Sequence, residues 1–103
     1  MEEQIISIAK EKGFISNIIG KSVEAKYSNK DFYYLWMCEL QKWLREVHNT
    51  YIAIIPGFGD KIWYTYQIHA DNGNAFIDVE DSWDTYESAL EESLKQGLLL
   101  INN

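Results

Sequence analysis

The chain has 103 residues, of which 47% are hydrophobic and 15% aromatic, enough apolar area for one folded core, so extensive disorder is excluded. The formal charge of −7 is local in origin: residues 1 to 61 hold eight acids and eight Lys or Arg, whereas residues 62 to 94 hold eight acids and no base. Such a surface repels phosphate and disfavours DNA or RNA binding, which depends on cationic side chains displacing counterions.

The first residues, Met-Glu-Glu-Gln, lack the basic start and apolar run of a signal peptide, and no apolar run approaches the roughly 20 residues that span a bilayer. With a lone cysteine, Cys38, that cannot close an internal disulfide, a cytoplasmic protein is the expectation.

In chain order, Ile5, Ile8 and Ala9 recur at helical spacing over 2–12, and Gly13 follows as a left-handed cap before apolar Phe14. Residues 14–28 follow neither period for more than about a turn. Ser28 or Asn29 can cap a long helix over 31–48, with Asp31 in its first turn. Its apolar arc gathers Phe32, Tyr33, Trp36, Met37, Leu40, Trp43, Leu44 and Val47, while Tyr34, Leu35 and Cys38 fall on the polar side and need another cover.

Three β-like runs follow, at 51–55, 62–69 and 74–80, the first pair broken by Pro56, Gly57 and Gly59. Asn72-Gly73 is a type I′ hairpin signal, and it sets His69 opposite Phe76, Ile68 opposite Ile77, Gln67 opposite Asp78 and Tyr66 opposite Val79. One face then carries Ile62, Tyr64, Tyr66, Ile68, Ala75, Ile77 and Val79 toward the helices. The other carries Trp63, Thr65, Gln67, His69, Phe76 and Asp78. In the first strand Ile52 and Ile54 are the favoured inward residues, with Ala53 and Ile55 the alternative. Either way, Trp63, Phe76 and one or two of Tyr51, Ile52, Ile54 and Ile55 form an apolar strip on the outer face, with Tyr51 and Ile55 its members in the favoured register, and Phe58 in the following loop adds to it. Asp84 or Thr85 caps a final helix over 86–101, whose inner arc includes Tyr86, Leu90, Leu94, Gly97 and Ile101. Gly97 on that arc implies close approach of a neighbouring element. The fold class is therefore α+β in one domain, 1–103: an N-terminal helix, a long amphipathic helix, a three-stranded antiparallel meander and a C-terminal helix packed on one sheet face.

Three stretches, Ala9-Lys-Glu-Lys-Gly-Phe14, the run from Leu40 to Ile52, and the run from Trp83 to Leu90 leading into Leu98-Leu-Leu-Ile101, resemble small uncharacterised proteins of phages and mobile elements of gut-type bacteria. That group has no assigned activity. The resemblance implies a setting, the cytoplasm of a host bacterium, and no catalytic or binding residue.

Asp78, Glu80, Asp81, Asp84, Glu87, Glu91 and Glu92 are acidic enough to suggest a cation site, but no calcium-loop spacing accompanies them. His48, His69 and Cys38 lack the paired spacings of a zinc site or a nucleophile with its base. Ala9, Gly13 and Ile19 faintly fit a helix-turn-helix, but the second helix would offer only Lys21 as an early donor to DNA. No cofactor and no catalytic or metal-ligating residue is expected. The leading expectation is a non-enzymatic protein acting through protein–protein contact, with itself as a homodimer or with another partner. Its surface would be the apolar sheet face of Trp63, Phe76, Tyr51, Ile55 and Phe58 or a free strand edge. The alternative is an acidic inhibitor that presents Asp78, Glu80, Asp81, Asp84, Glu87 and Glu91 to a basic host protein in place of nucleic acid.

Overall fold

The computed structural model describes residues 2–16, 30–70 and 75–101. Its element order is α1 (Glu2–Glu11), α2 (Lys30–His48), β1 (Tyr51–Phe58), β2 (Ile62–Ala70), β3 (Ala75–Asp78) and α3 (Tyr86–Leu99). The strands form one antiparallel sheet in the order β1-β2-β3, and the helices pack on one side of it, so the α+β expectation holds.

Three of the helix ends have a local cause. Gly13 has φ of 97°, and Gly13 N–H donates to Lys10 O at 3.1 Å while Phe14 N–H reaches back to Ala9 O at 3.0 Å. This two-bond cap ends α1 and turns Phe14 inward, where its ring meets Trp36 at 5.7 Å and Trp43 at 5.3 Å. At the end of α2, Asn49 takes φ of 52°, a conformation that asparagine tolerates, and Thr50 N–H donates to Leu44 O at 2.9 Å. Thr85 caps α3, its hydroxyl accepting from Ser88 N–H at 3.1 Å.

The core joins the apolar stripes of the three helices through Ile5, Trp36, Leu40, Leu44, Leu90, Leu94 and Leu98, with Ile52 and Ile54 packed against it from β1. Pairing of Ile52 with Ile68 and of Ile54 with Tyr66 settles the first-strand register as favoured. A Cβ on Gly97 would lie 3.3 Å from Ile52 Cδ1 and 3.5 Å from Leu44 Cδ1, so α3 approaches both neighbours closely there. Lys12 Nζ donates to Ile101 O at 2.8 Å and ties the ends of α1 and α3 together.

Several expectations are corrected. β1 continues through Pro56 and Gly57 to Phe58, because Pro56 sits on an edge strand where it forfeits no ladder bond. β3 stops at Asp78 rather than 80. The chain then bulges out and returns at Trp83, which exchanges two backbone bonds with Tyr64 at 2.9 and 2.8 Å, so the expected Tyr66–Val79 pair is not part of the ladder. α3 ends at Leu99, though Ile101 is still buried. Ile62, Phe32, Val47 and Tyr86 are exposed rather than core, since the helix layer is shorter than the β1–β2 hairpin and the arc drawn on α2 was too wide. The hairpin turn at Asn72-Gly73, the caps at Ser28 and Asn29, and the second helix of the helix-turn-helix reading lie outside the described residues.

Candidate interaction surface

With the helices on one side, alternation along the strands leaves Tyr51, Ala53, Ile55 and Gly57 of β1, Trp63, Thr65, Gln67 and His69 of β2, and Phe76 and Asp78 of β3 on the open side. Cross-strand pairing sorts them into rows. Tyr51, His69 and Phe76 form one end, with the His69 and Phe76 rings 4.6 Å apart. Ile55, Gly57 and Trp63 form the other. Between them lies a polar row in which Gln67 Nε2 donates to Asp78 Oδ1 at 3.4 Å, bridged along β1 by the methyl of Ala53. The strip is thus continuous along β1 and interrupted on β2 and β3.

Its large members are open to solvent: Tyr51 is 48% exposed, Trp63 41% and Phe76 52%. Trp63 lies across the ladder over Gly57, so that a Cβ at position 57 would clash with the six-membered ring of its indole. The glycine makes the flat seat that holds Trp63 against the sheet, and Gly57 is buried beneath it. This pairing was not legible from the sequence, where Pro56-Gly57 reads as turn punctuation.

Phe58 does not belong to this face. It pairs with Ile62 on the helix side of the sheet, because β1 extends to it with unbroken alternation. Tyr34 and Cys38 are placed on the side of α2 that carries Gln41 by the helical period, and Gln41 Nε2 donates to Ile52 O at 3.1 Å, so this side faces the edge of β1. Tyr34 is held above the usual phenol pKa by burial first, then by Cys38, with Tyr86 and Glu87 adding to the shift. It therefore stands close to the start of α3. Leu35 is exposed on another side of the helix.

The strand edge is guarded. The reciprocal Tyr64–Trp83 bonds direct the backbone of Tyr64 away from β1, so its partner Pro56 lies at a position whose groups face outward, as do Ile54 and Ile52 by alternation. Pro56 has no N–H to offer there and Ile52 O is taken by Gln41. A strand added to this edge would therefore find one ladder donor missing and one acceptor already engaged.

The acids separate. Asp78 is on the open face, and Glu80, Asp81 and Asp84 are exposed in the connection from β3 to α3. Glu87 is exposed in the first turn of α3, whereas Glu91 Oε2 accepts from the Tyr33 hydroxyl at 2.7 Å. Asp81 and Glu92 both act on Tyr66, whose phenol is pushed above its ordinary pKa by burial first and then by these two carboxylates. Among the described residues no group of three or more His, Cys, Asp or Glu is arranged to hold a metal ion. His69 meets Phe76 at a tilt on the open face, and His48 meets Trp43 edge-on at 4.6 Å beside the end of α2. No helix among the described residues is long and apolar enough to cross a membrane. No family model, curated protein or solved structure matches the chain.

Proposed function

We propose that the chain is a non-enzymatic interaction protein that self-associates through the open face of its sheet, an accessory protein of a phage or mobile element acting in the host cytoplasm. The observation that carries this reading is the strip of exposed Tyr51, Trp63 and Phe76 with half-buried Ile55, on a sheet that among the described residues is covered from one side only. Charge favours a second copy as the occupant. Although the chain carries −7, the open face holds one carboxylate, Asp78, among its ten residues, so it is where two like-charged copies can meet with least repulsion. A two-fold axis lying across the strands, in the plane of the interface, would set the Trp63–Ile55 end of one copy against the Tyr51–His69–Phe76 end of the other, an isologous contact.

The eight residues of β1 span about 26 Å, the nine of β2 about 30 Å and the four of β3 about 13 Å, so the contact falls below the roughly 800 Å² per partner of a standard interface. That is near the lower end of stable interfaces, so micromolar association is expected. The nucleic-acid-mimic reading needs its carboxylates on one surface. Asp78 lies on the open face and Glu91 is engaged by Tyr33, so the six acids do not form one row.

Light scattering across a concentration series tests the proposal. The native chain should approach twice the monomer mass as concentration rises, and Trp63→Glu and Phe76→Glu should each remain monomeric. A native chain that stays monomeric at millimolar concentration refutes it.

A further inference from the structure

A second apolar surface lies on the opposite side of the sheet, where the β1–β2 hairpin runs past the helices. Phe58 is 76% exposed and its partner Ile62 is 53% exposed. Next along the ladder, Pro56 pairs with Tyr64, whose ring meets Tyr86 edge-on with centroids 6.0 Å apart. Tyr34 completes the series from α2, close enough to Tyr86 and Glu87 for both to shift its ionisation. These six residues form an apolar, tyrosine-rich shelf. Its surrounding charge is net negative: Asp84 and Glu87 are exposed beside Tyr86, while in the hairpin turn exposed Asp60 stands next to exposed Lys61.

We infer that this shelf docks a lysine- or arginine-bearing amphipathic helix of a partner protein. Phe58, Ile62 and Pro56 take its apolar side, while the carboxylates of Asp84 and Glu87 and the faces of Tyr34, Tyr64 and Tyr86 take its cations. Tyrosine rings attract cations through their negative faces, and a neighbouring carboxylate strengthens the preference. A helix suits the surface because its exposed apolar area lies on side-chain faces, those of Phe58, Ile62 and the tyrosines, rather than along a strand edge. Self-association through Trp63 uses the other face of the sheet, so a dimer would present two such shelves pointing away from each other.

Fluorescence anisotropy with labelled synthetic helices of about five turns tests the assignment, one built of Leu and Lys at amphipathic spacing and a second with Glu for Lys. The Leu–Lys helix should bind and the Leu–Glu helix should not. Phe58→Ser and Glu87→Lys should each weaken binding about tenfold, as removal of a central contact does, with circular dichroism unchanged because both side chains are exposed. Asp78→Lys makes the same change of net charge on the opposite face and should alter binding by less than about twofold. Equal losses in Asp78→Lys and Glu87→Lys would mean attraction by net charge alone and would overturn the proposal. So would unaltered binding in Phe58→Ser, or no binding of the Leu–Lys helix. Trp63→Glu should bind as the native chain does, which separates this surface from self-association.

Discussion

Gly57→Ala probes how the sheet presents its outermost tryptophan. The added methyl would occupy the site of the Trp63 six-membered ring, so the indole must swing away from the ladder. Trp63 is 41% exposed, so roughly 150 Å² of its approximately 250 Å² is covered. At about 25 cal/mol per Å² that cover contributes at most about 4 kcal/mol, an upper bound because the unfolded chain hides some of it. Losing about half of it costs ~1.5–2 kcal/mol, against ~0.5–1 kcal/mol gained when alanine replaces glycine in an allowed strand conformation. The net expectation is destabilisation by about 1 kcal/mol, or about 4–8 °C in Tm. In a Trp63→Ala background the clash is absent, and the same change should stabilise by ~0.5–1 kcal/mol. Urea unfolding of the four variants at concentrations well below micromolar, under the range of the proposed association, gives the coupling directly; about 1.5–2 kcal/mol is expected. The same effect of Gly57→Ala in both backgrounds would refute the seat assigned to Trp63.

Four further outcomes follow from the packing. Gly97→Ala should change stability by less than about 0.5 kcal/mol, since a helix-propensity gain of about 1 kcal/mol offsets a 3.3 Å approach to the movable tip of Ile52, whereas Gly97→Leu should cost at least ~2 kcal/mol by overpacking; thermal melts separate the two. Thr85→Ala removes the acceptor for Ser88 N–H and should cost about 1 kcal/mol in urea unfolding. Gly13→Ala meets no neighbour but forces a side chain into φ of 97°, a cost of ~1–2 kcal/mol measurable in the same way. The Tyr66 pKa is raised in the folded chain, so its contribution is fully present below the unfolded value of about 10 and is lost as pH rises through the folded value. Tyr66→Phe should therefore flatten the loss of Tm on the alkaline side, while leaving the neutral-pH dependence as it was.

Local signals explain what was legible in the sequence. Gly13 before Phe14, Thr85 before the last helix and the alternation through Ile62–Ala70 are short-range patterns whose physics is complete within a few residues, and the structure follows them. The β2–β3 register followed from the Asn72-Gly73 signal in the sequence, which set His69 opposite Phe76 and Ile68 opposite Ile77 as the ladder has them. What was not legible depended on relative lengths. Nothing local to Ile62 or Phe58 says that the helix layer ends before the hairpin does, so one was assigned to the core and the other to the wrong face. Pro56-Gly57 misled for a related reason: both break a central strand, but on an edge proline costs no ladder bond and glycine can seat an aromatic ring from the neighbouring strand. Tyr34 and Cys38 looked misplaced on α2 until Gln41 fixed which side of the helix faces β1.

Backbone amide shifts of the isotope-labelled chain, followed on dilution from millimolar to low micromolar, test self-association through the open face most directly. Concentration-dependent shifts gathered at Tyr51, Ala53, Ile55, Trp63, His69 and Phe76, and abolished by Trp63→Glu, are the predicted result. Shifts that do not change with concentration, or that gather instead on α1 or on the exposed side of α2, would contradict it.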